Sequence, residues 1–244
     1  MRIVNLFPPD TRSSEEKRRI VEAGGEARQR EMEASGFRTF GYDYWDNPRA
    51  TAGGRGYHYD GRYAETARRI CKFYHLKAGD RICEIGCAKG YLLVEFHKFG
   101  LEVEGIDISR YAVEHAHPDV AGKIHCEDIR GANLPPQSAD LVIVKDTLPH
   151  LPESDVPAVI QLCKAVSRRY SLLDIEVARN NYEAEMLARW DCTHVTRRSP
   201  EWWVALLTRQ GYWGDVQFKV LIEDPALPPL EVQLGLVPVV RTGA

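Results

Sequence analysis

The sequence predicts an α/β protein with a doubly wound, seven-stranded and mostly parallel sheet whose last strand runs antiparallel. From Ala64 onward, apolar segments of strand length alternate with segments in which apolar residues recur at helical spacing. The segment ADLVIVKD at residues 139–146 is almost continuously apolar, which is typical of a parallel strand covered by helices on both faces. The last two strand-like segments are separated only by a proline-rich loop, which is too short for a crossover helix and predicts antiparallel pairing.

The alternating region is predicted to begin with a helix at residues 64–74 and a strand at residues 81–85. Each later element follows from the same change between helical spacing and continuous apolar runs. In chain order they are a helix closed by Gly100, a strand ending at Asp107, a short helix at 111–117, a strand ending near Asp128, the strand at 139–146, a helix around 156–163, a strand at 170–178, a helix at 200–209, and final strands at 215–222 and 230–240.

The first 61 residues differ from the rest and are predicted to form an N-terminal extension, followed by one domain at residues 62–244. The segment at 13–36 is charged and helix-prone, and Gly24 and Gly25 should divide it into two surface helices. After it, eight aromatic residues surround a glycine-rich run at 53–56. Aromatic rings beside flexible glycines predict a lid or recognition loop over the site; the alternative is that the rings only pack the extension against the domain.

Composition and charge favour a small substrate in a reducing compartment. The formal net charge is −3, so no global basic field is available to attract nucleic acid. No stretch approaches the roughly 20 apolar residues of a membrane span. Six cysteines are scattered without paired spacing, and the amino terminus lacks a signal-peptide core. We therefore expect a cytoplasmic protein with no nucleic-acid or membrane partner and no metal site, and the sequence leaves the oligomeric state open.

The strand at 81–85 runs into a glycine-rich turn and then directly into a helix. A helix that begins there has unpaired N–H groups, which suit a polar ligand. The turn contains Glu84, Gly86 and Gly90 but lacks the middle glycine of the dinucleotide motif G-x-G-x-x-G. An acid before the turn would repel a pyrophosphate and can bind an ammonium group. Asp107 ends the second strand, where it can accept both hydroxyls of a ribose, a feature that fits NAD equally well.

These motifs, together with CEDI at 126–129 and ADLVIVKDTLPHLPE at 139–153, resemble the class I S-adenosylmethionine-dependent methyltransferases, especially their small-molecule branch. The resemblance covers residues 62–240 and implies a Rossmann-like fold with S-adenosyl-L-methionine as cofactor. It places Glu84, Gly86, Ala88 and Gly90 around the methionine part. It assigns Asp107 and Ile108 to the ribose and adenine, and Asp128 and Ile129 to the adenine. The full set of cofactor-binding residues that it implies also contains Tyr59, Arg62, Cys87, Tyr91 and Lys145.

Methyl transfer from a sulfonium needs in-line placement of the acceptor, and a base if the acceptor is a hydroxyl. His150 is the first candidate because it follows the fourth strand, where ligands of such sheets lie, and because an unperturbed histidine titrates near neutral pH. His194 lies in a segment similar to one that faces the acceptor in relatives, and Asp146 is a further candidate. A structural role is the alternative for both histidines.

The sequence thus predicts methyl transfer to a hydroxyl or amine of a small polar acceptor such as a sugar, a nucleotide-sugar or a natural product. One alternative is a tRNA or protein methyltransferase, which would need the Arg-rich N-terminal helix to form a basic face beside the cofactor. The N-P-P-Y type signature of base and amide methylation is missing, since KDTLPH stands in its place. Another alternative is a catalytically silent partner subunit with the same fold, which would have no need of a complete cofactor site.

Overall fold

The computed structural model describes residues 1–8, 12–34, 36–48 and 57–236, apart from the side chain of Arg28. Within these ranges the strands form a seven-stranded sheet in the order β1-β7-β6-β5-β2-β3-β4. The strands are β1 (Arg2–Ile3), β2 (Arg81–Ile85), β3 (Glu102–Asp107), β4 (Ile124–Cys126), β5 (Ala139–Lys145), β6 (Ser167–Glu176) and β7 (Asp215–Lys219). Their order places β2 and β5, the strands that precede the two predicted ligand loops, side by side at the centre.

Helices follow the strands as the periodicity predicts, which confirms the alternating architecture. One helix, at 181–190, is missing from the sequence-based prediction; its Asn180 side chain caps it by accepting from the N–H of Glu183. The helices are α1 (Ser14–Ala34), α2 (Tyr42–Trp45), α3 (Ala64–Tyr74), α4 (Tyr91–Lys98), α5 (Arg110–Glu114), α6 (Val156–Val166), α7 (Asn181–Trp190), α8 (Pro200–Arg209) and α9 (Leu230–Gln233), with short 3₁₀ segments at Phe37–Thr39, Ala121–Lys123 and Leu148–His150.

The prediction of an antiparallel last strand is wrong. Strand β7 pairs parallel with β6, from Leu172 opposite Asp215 to Glu176 opposite Lys219, because α7 and α8 lie between the two strands and return the chain to the same end of the sheet. The segment expected to form the final strand begins instead as helix α9 directly after Pro229, and residues 237–244 lie outside the described part. All the strand pairs of the described sheet are parallel.

The edge of the sheet beside β7 is occupied by the amino terminus of the chain. Arg2 and Ile3 pair parallel with Asp215 and Val216, and the Arg2 guanidinium binds both carboxylate oxygens of Asp215 at 2.8 Å. The Gln217 side chain then accepts from the N–H groups of residues 6 and 7 at 2.7 and 2.9 Å. The seventh strand therefore comes from the N-terminal extension.

Apolar layers cover both faces of the sheet, as a doubly wound fold requires. On one face Val156 and Ile160 of α6 and Trp203 of α8 are buried against the strands. On the other face Ile70 of α3 and Phe96 of α4 are buried in a second cluster. Among the described residues, no helix is both long and apolar enough to cross a membrane.

Helix α1 confirms the predicted interruption, because Gly25 has φ +47° and ψ −149° and kinks the helix in its middle. Ser13 caps the helix: its hydroxyl accepts from the N–H of Glu16, and the Glu16 carboxylate accepts from the N–H of Ser13 at 2.7 Å. Val21 of α1 packs beside Met186 and Trp190 of α7. This contact places the N-terminal helix over the carboxyl end of the sheet.

Candidate active site

A cavity of about 1010 Å³ lies at the carboxyl ends of β2, β3, β5, β6 and β7, beneath the N-terminal segment. Its volume is at the upper end of the range for ligand pockets, which is room for two ligands. The structure does not place Tyr59, Gly90 or Tyr91 on its wall. The other predicted site residues line it together: Arg62, Glu84, Gly86, Cys87, Ala88, Asp107, Ile108, Asp128, Ile129, Lys145, Asp146, His150 and His194.

The glycine-rich turn after β2 has the left-handed backbone that its sequence suggests. Gly86, Ala88 and Gly90 all have positive φ, of 76°, 51° and 75°. A Cβ atom at Gly86 would overlap the Thr147 side chain that follows β5, so only glycine lets the two central loops approach this closely. The Ala88 N–H donates to Asp107 Oδ2 at 2.7 Å, which ties the turn to the end of β3.

Glu84 is buried at the end of β2, and its Oε2 has no hydrogen-bond partner. Burial raises the pKa of this carboxyl to about 8; Lys145 opposes the shift, and Asp107 and Asp146 add to it. A buried acceptor without a donor is costly for a folded protein. A bound ammonium group would satisfy this oxygen, so Glu84 fits the amino acid part of S-adenosylmethionine.

Asp107 is buried at the end of β3 and fits a ribose. Its Oδ1 accepts from the Ser109 N–H at 2.8 Å and its Oδ2 from the Ala88 N–H at 2.7 Å. Each carboxylate oxygen can accept a second hydrogen bond, which leaves capacity for two hydroxyls. Beside it, the half-exposed Ile108 and the buried Ile129 supply apolar surface on the cavity wall.

Two predicted cofactor ligands are already engaged by neighbouring side chains. Asp128 receives three hydrogen bonds from the Arg130 guanidinium, which lowers the pKa of the carboxyl. Arg62 forms a bidentate pair with Asp60 at 2.7 to 3.0 Å and holds the pKa of that carboxyl at about 2. Arg62 therefore lines the cavity with its charge already neutralised by Asp60.

The N-terminal segment at 36–48 forms one wall of the site and is tied to the domain by polar contacts. The indole Nε1 of Trp45 donates to Ser109 Oγ at 2.9 Å. Lys89, in the glycine-rich turn, lies 2.6 Å from Asp46 Oδ1, and Tyr111 donates to the same carboxylate at 2.8 Å. The glycine run at 53–56, on which the lid prediction rests, lies outside the described residues.

Tyr57 and Tyr59 join this wall to α4. The ring of Tyr57 stacks on that of Tyr91 with centroids 4.7 Å apart. The Tyr59 hydroxyl binds Glu95 and Lys98, so it is held against α4. Tyr59 and Tyr91 thus pack the extension against the domain.

His150 and His194 lie together on the cavity wall, with ring centroids 4.3 Å apart and planes inclined by 25°. Burial disfavours a proton on His194, but Glu176, at 2.6 Å from Nε2, and Asp191 outweigh this and raise its pKa to about 9. Burial lowers the pKa of His150, and the cationic His194 lowers it further, against the opposite effect of nearby carboxylates. At neutral pH His194 is charged and His150 is neutral.

The ligand atoms of His150, Asp191 and His194 lie within 4.8 Å of one another, a spacing that a metal ion could bridge. Both ring nitrogens of His194 face oxygen acceptors, the Glu176 carboxylate at 2.6 Å and the Asp191 carbonyl at 3.2 Å. Two acceptors at one imidazole require two N–H donors. The arrangement fits a protonated His194 better than a metal ligand.

Asp146 and Lys145 belong to a buried ionic group on the same wall. Lys145 and Lys219 both pair with Asp146, and Lys219 also binds Asp174 at 2.8 Å. Burial favours the neutral acid, but the two lysines outweigh it and lower the pKa of Asp146. An ionised carboxylate held by two cations is a weak base, so Asp146 fits a structural role better than a catalytic one.

Sequence reasoning missed four groups beside the two histidines, Tyr44, Glu176, Asp191 and Thr193. It also missed Lys219, which pairs with Asp146 on the same cavity wall. Glu176 ends β6 and Lys219 ends β7. The rule that ligands bind at the carboxyl ends of parallel strands could have found these two. Asp191 and Thr193 precede His194 in a loop, where no periodic pattern marks a role.

A doubly wound sheet with an acid before the glycine-rich turn and a second acid ending the next strand defines a nucleoside-binding enzyme of the methyltransferase type. Residues 56–212 match a family model described as "Methyltransferase domain". This match covers more than half of the chain, so the chain belongs to this methyltransferase family. Membership of this family implies an S-adenosylmethionine-dependent methyltransferase, with S-adenosyl-L-methionine as the methyl donor.

Curated relatives share one region with this chain. This chain is 30% identical over 129 residues to the ubiquinone biosynthesis O-methyltransferase of Ralstonia nicotianae, and the match covers 50% of this chain and 53% of the relative. The enzyme of the same name from Cupriavidus pinatubonensis is 26% identical over 129 residues, with 50% and 51% covered. The chain spans about half the length of the curated relatives it matches.

Solved structures show the same fold at lower identity. A SAM-dependent methyltransferase from Archaeoglobus fulgidus superposes with a TM-score of 0.50 at 22% identity, covering 61% of this chain and 68% of that one. The phosphoethanolamine N-methyltransferase 2 of Haemonchus contortus gives a TM-score of 0.52 at 17% identity, with 68% and 43% covered. These likenesses establish the architecture of the sheet and its helices.

Proposed function

We propose that this protein transfers the methyl group of S-adenosylmethionine to a hydroxyl of a small polar acceptor, with His150 as the general base. The observation that carries the proposal is a half-buried imidazole on the cavity wall, whose pKa is lowered by desolvation and by the neighbouring His194. Its Nδ1 contacts Thr193, and its Nε2 has no hydrogen-bond partner among the described residues. A base of this kind is needed to remove a proton from a hydroxyl, whereas an amine acceptor needs no base.

The cofactor site is proposed to run from β2 to β4. Glu84 would accept from the ammonium group, Gly86 and Ala88 would surround the methionine part, and Asp107 would accept from the ribose. The adenine would lie against Ile108 and Ile129, with Asp128 at its rim. The orphaned Oε2 of Glu84 supports this placement. The bound cofactor supplies a methyl group already activated by the positive sulfur.

The chain contributes positioning, exclusion of water and one proton acceptor. Phe40 and Tyr44 of the N-terminal segment lie with their rings 5.9 and 6.4 Å from the His150 ring, so they close the acceptor side of the cavity over the base. A dry site strengthens the hydrogen bonds that orient the acceptor. His150 Nε2 would take the proton of the acceptor hydroxyl.

Sugars, nucleotide-sugars and hydroxylated natural products are the acceptor classes that fit this proposal. The curated relatives named above are O-methyltransferases of ubiquinone biosynthesis, which supports a hydroxyl on a small molecule as the acceptor. In α1, Arg19 and Arg30 pair with Glu15 and Glu26 one turn earlier. Charges paired within a helix form a poor basic face, so the tRNA or protein alternative has less support.

The test is turnover with a panel of acceptors, measured as S-adenosylhomocysteine released. The panel contains sugars, nucleotide-sugars, phenolic natural products, bulk tRNA and a protein extract. With the best acceptor, His150→Ala should lower kcat by roughly 10²- to 10⁴-fold while leaving the Kd for S-adenosylmethionine unchanged.

His115→Ala is the matched control, because His115 is an exposed histidine on the rim of α5 that does not line the cavity; it should keep full activity. If His150→Ala kept the full kcat, His150 would not be the general base. Turnover of only tRNA or protein would contradict the small acceptor, and failure to bind S-adenosylmethionine would favour the silent-partner alternative.

A further inference from the structure

We infer that Asp191 and Thr193 form a hydroxyl relay that holds His150 in its Nδ1–H tautomer and so keeps the lone pair on Nε2 for the acceptor. This inference rests on the proposed function of His150. Asp191 and Thr193 are positioning residues, since they act through the imidazole of His150.

Three short contacts join the residues of the relay. Thr193 Oγ1 lies 2.6 Å from Asp191 Oδ1 and 2.8 Å from His150 Nδ1. The Thr193 backbone N–H donates to the same Asp191 oxygen at 2.8 Å. Asp191 and Thr193 are both buried, so water does not compete for these hydrogen bonds.

The direction of each hydrogen bond follows from a count of protons. Asp191 Oδ1 accepts from the Thr193 N–H, and Oδ2 accepts from the Tyr44 hydroxyl at 2.9 Å. An ionised carboxylate has no proton to donate, so the single proton of the Thr193 hydroxyl points to Asp191. Toward His150 the hydroxyl oxygen can only accept. The proton of the neutral imidazole is therefore on Nδ1.

This assignment has a direct consequence for catalysis. With Nδ1 protonated, the basic lone pair is on Nε2, the ring nitrogen without a partner among the described residues. When Nε2 takes the acceptor proton, Nδ1–H stays bonded to Thr193, and the Asp191 charge stabilises the imidazolium through the hydroxyl. One proton moves, from the acceptor oxygen to Nε2.

A purely structural role for the Thr193 hydroxyl has less support, because the loop has other anchors. The N–H groups of Val195 and Thr196 both donate to the Pro149 carbonyl, at 2.9 and 3.0 Å. The Thr196 hydroxyl donates to the Leu151 carbonyl at 2.7 Å. These bonds hold the loop against the segment that carries His150 without help from Thr193.

The tautomer is tested by ¹⁵N NMR of the histidine rings in the cofactor-free protein, with His150 assigned from the His150→Gln spectrum. Wild type and Thr193→Ser should show the Nδ1–H form, because serine retains the hydroxyl. Thr193→Val removes the acceptor and should increase the Nε2–H form. Thr196→Val, which removes a hydroxyl from the same loop, should leave the tautomer unchanged.

Asp191→Ala provides a second and sharper variant if Thr193→Val fails to fold. It removes the carboxylate that accepts from the Thr193 hydroxyl, which frees the hydroxyl proton to point at His150 Nδ1. The tautomer should then switch to Nε2–H. A wild-type tautomer in either folded variant would overturn the relay.

Kinetics separate this inference from the proposed function. Thr193→Val should lower kcat by roughly ten- to a hundredfold, less than the loss of the general base itself, and should shift the acidic limb of the kcat/KM profile to lower pH. Thr193→Ser should restore most of the rate. If His150→Ala is inactive but Thr193→Val keeps full activity, the relay is wrong and the proposed role of His150 stands. If His150→Ala keeps full activity, His150 is not the general base.

Discussion

The imidazole rings of His150 and His194 stack with their centroids 4.3 Å apart, yet their pKa values move in opposite directions. Glu176 binds His194 at 2.6 Å and keeps it cationic. A second positive charge at this distance is unfavourable, so His150 stays neutral. In this stacked pair His194 therefore stays cationic, whereas His150 is neutral and is the candidate base.

His194 should make folding stability depend on pH above neutrality. Its folded pKa of about 9 lies above the ordinary value of 6.5, so the folded state binds the proton more tightly than the unfolded state. This stabilisation is fully present below about pH 6.5 and is lost as the pH rises through about 9. It amounts to at most about 3 kcal/mol at roughly 1.4 kcal/mol for each pKa unit.

Urea unfolding from about pH 6 to about pH 10 checks this dependence. His194→Gln lowers stability at every pH because Glu176 loses its partner, so the slope against pH is the informative quantity. The wild type should lose stability across this range more steeply than the variant. Equal slopes would show that His194 does not carry the raised pKa.

Glu84 should release a proton when the cofactor binds. With a pKa of about 8 in the ligand-free site, the carboxyl is mostly protonated at neutral pH, whereas an ammonium ligand binds the ionised form. Affinity should therefore rise with pH up to about 8. Calorimetry in two buffers of different ionisation enthalpy measures the proton released.

Glu84→Gln is the matched variant for this experiment. It should weaken S-adenosylmethionine binding by roughly 1.5–3 kcal/mol, as expected for a hydrogen bond to a charged group, and should abolish the dependence on buffer. If the binding enthalpy of the wild type is the same in both buffers, no proton is released, and Glu84 does not bind the ammonium group of the cofactor.

Asp107 should contribute more to cofactor affinity than Asp128 does. Asp107 is buried beside the glycine-rich turn, whereas the Asp128 side chain is 41% exposed and already paired with Arg130. Asp107→Ala should weaken S-adenosylmethionine and S-adenosylhomocysteine alike by roughly 1.5–3 kcal/mol. Asp128→Ala should cost well under half of this. Calorimetry on both variants gives the comparison, and equal losses would reject the ribose placement.

Asp46 should hold the N-terminal segment on the domain. The Lys89 side chain that it binds is only 5% exposed, so Asp46→Asn leaves a nearly buried cation without its carboxylate. The expected loss is roughly 1–3 kcal/mol of unfolding free energy, below the range for fully buried pairs because Asp46 is partly exposed.

Asp60→Asn is the control, since the Asp60–Arg62 pair is about 40% exposed on both sides and should contribute little. Chemical denaturation and limited proteolysis of the N-terminal segment report the two effects. Similar stability and similar cleavage in Asp46→Asn and wild type would show that this ion pair does not anchor the segment.

The local features of this protein could be read from its sequence. Alternating apolar periods predicted the strands and helices from α3 to β7 with the exception of α7, because each period is set by the backbone geometry of a few neighbouring residues. The glycine-rich turn was equally local: Gly86 needs positive φ and a close approach to Thr147. His150 was found because it directly follows a recognisable central strand.

Tertiary structure decided which distant residues meet. The place of β1 beside β7 depends on contacts between residues more than 200 positions apart, such as Arg2 with Asp215. The parallel pairing of β7 with β6, which replaced the predicted antiparallel one, depends on the crossover through α7 and α8 between the two strands. The partners of His150 come from a loop 43 residues later in the chain. Side chains such as Thr193 and Asp191 follow no periodic pattern, so their role depends on where the packed helices and strands carry their loop.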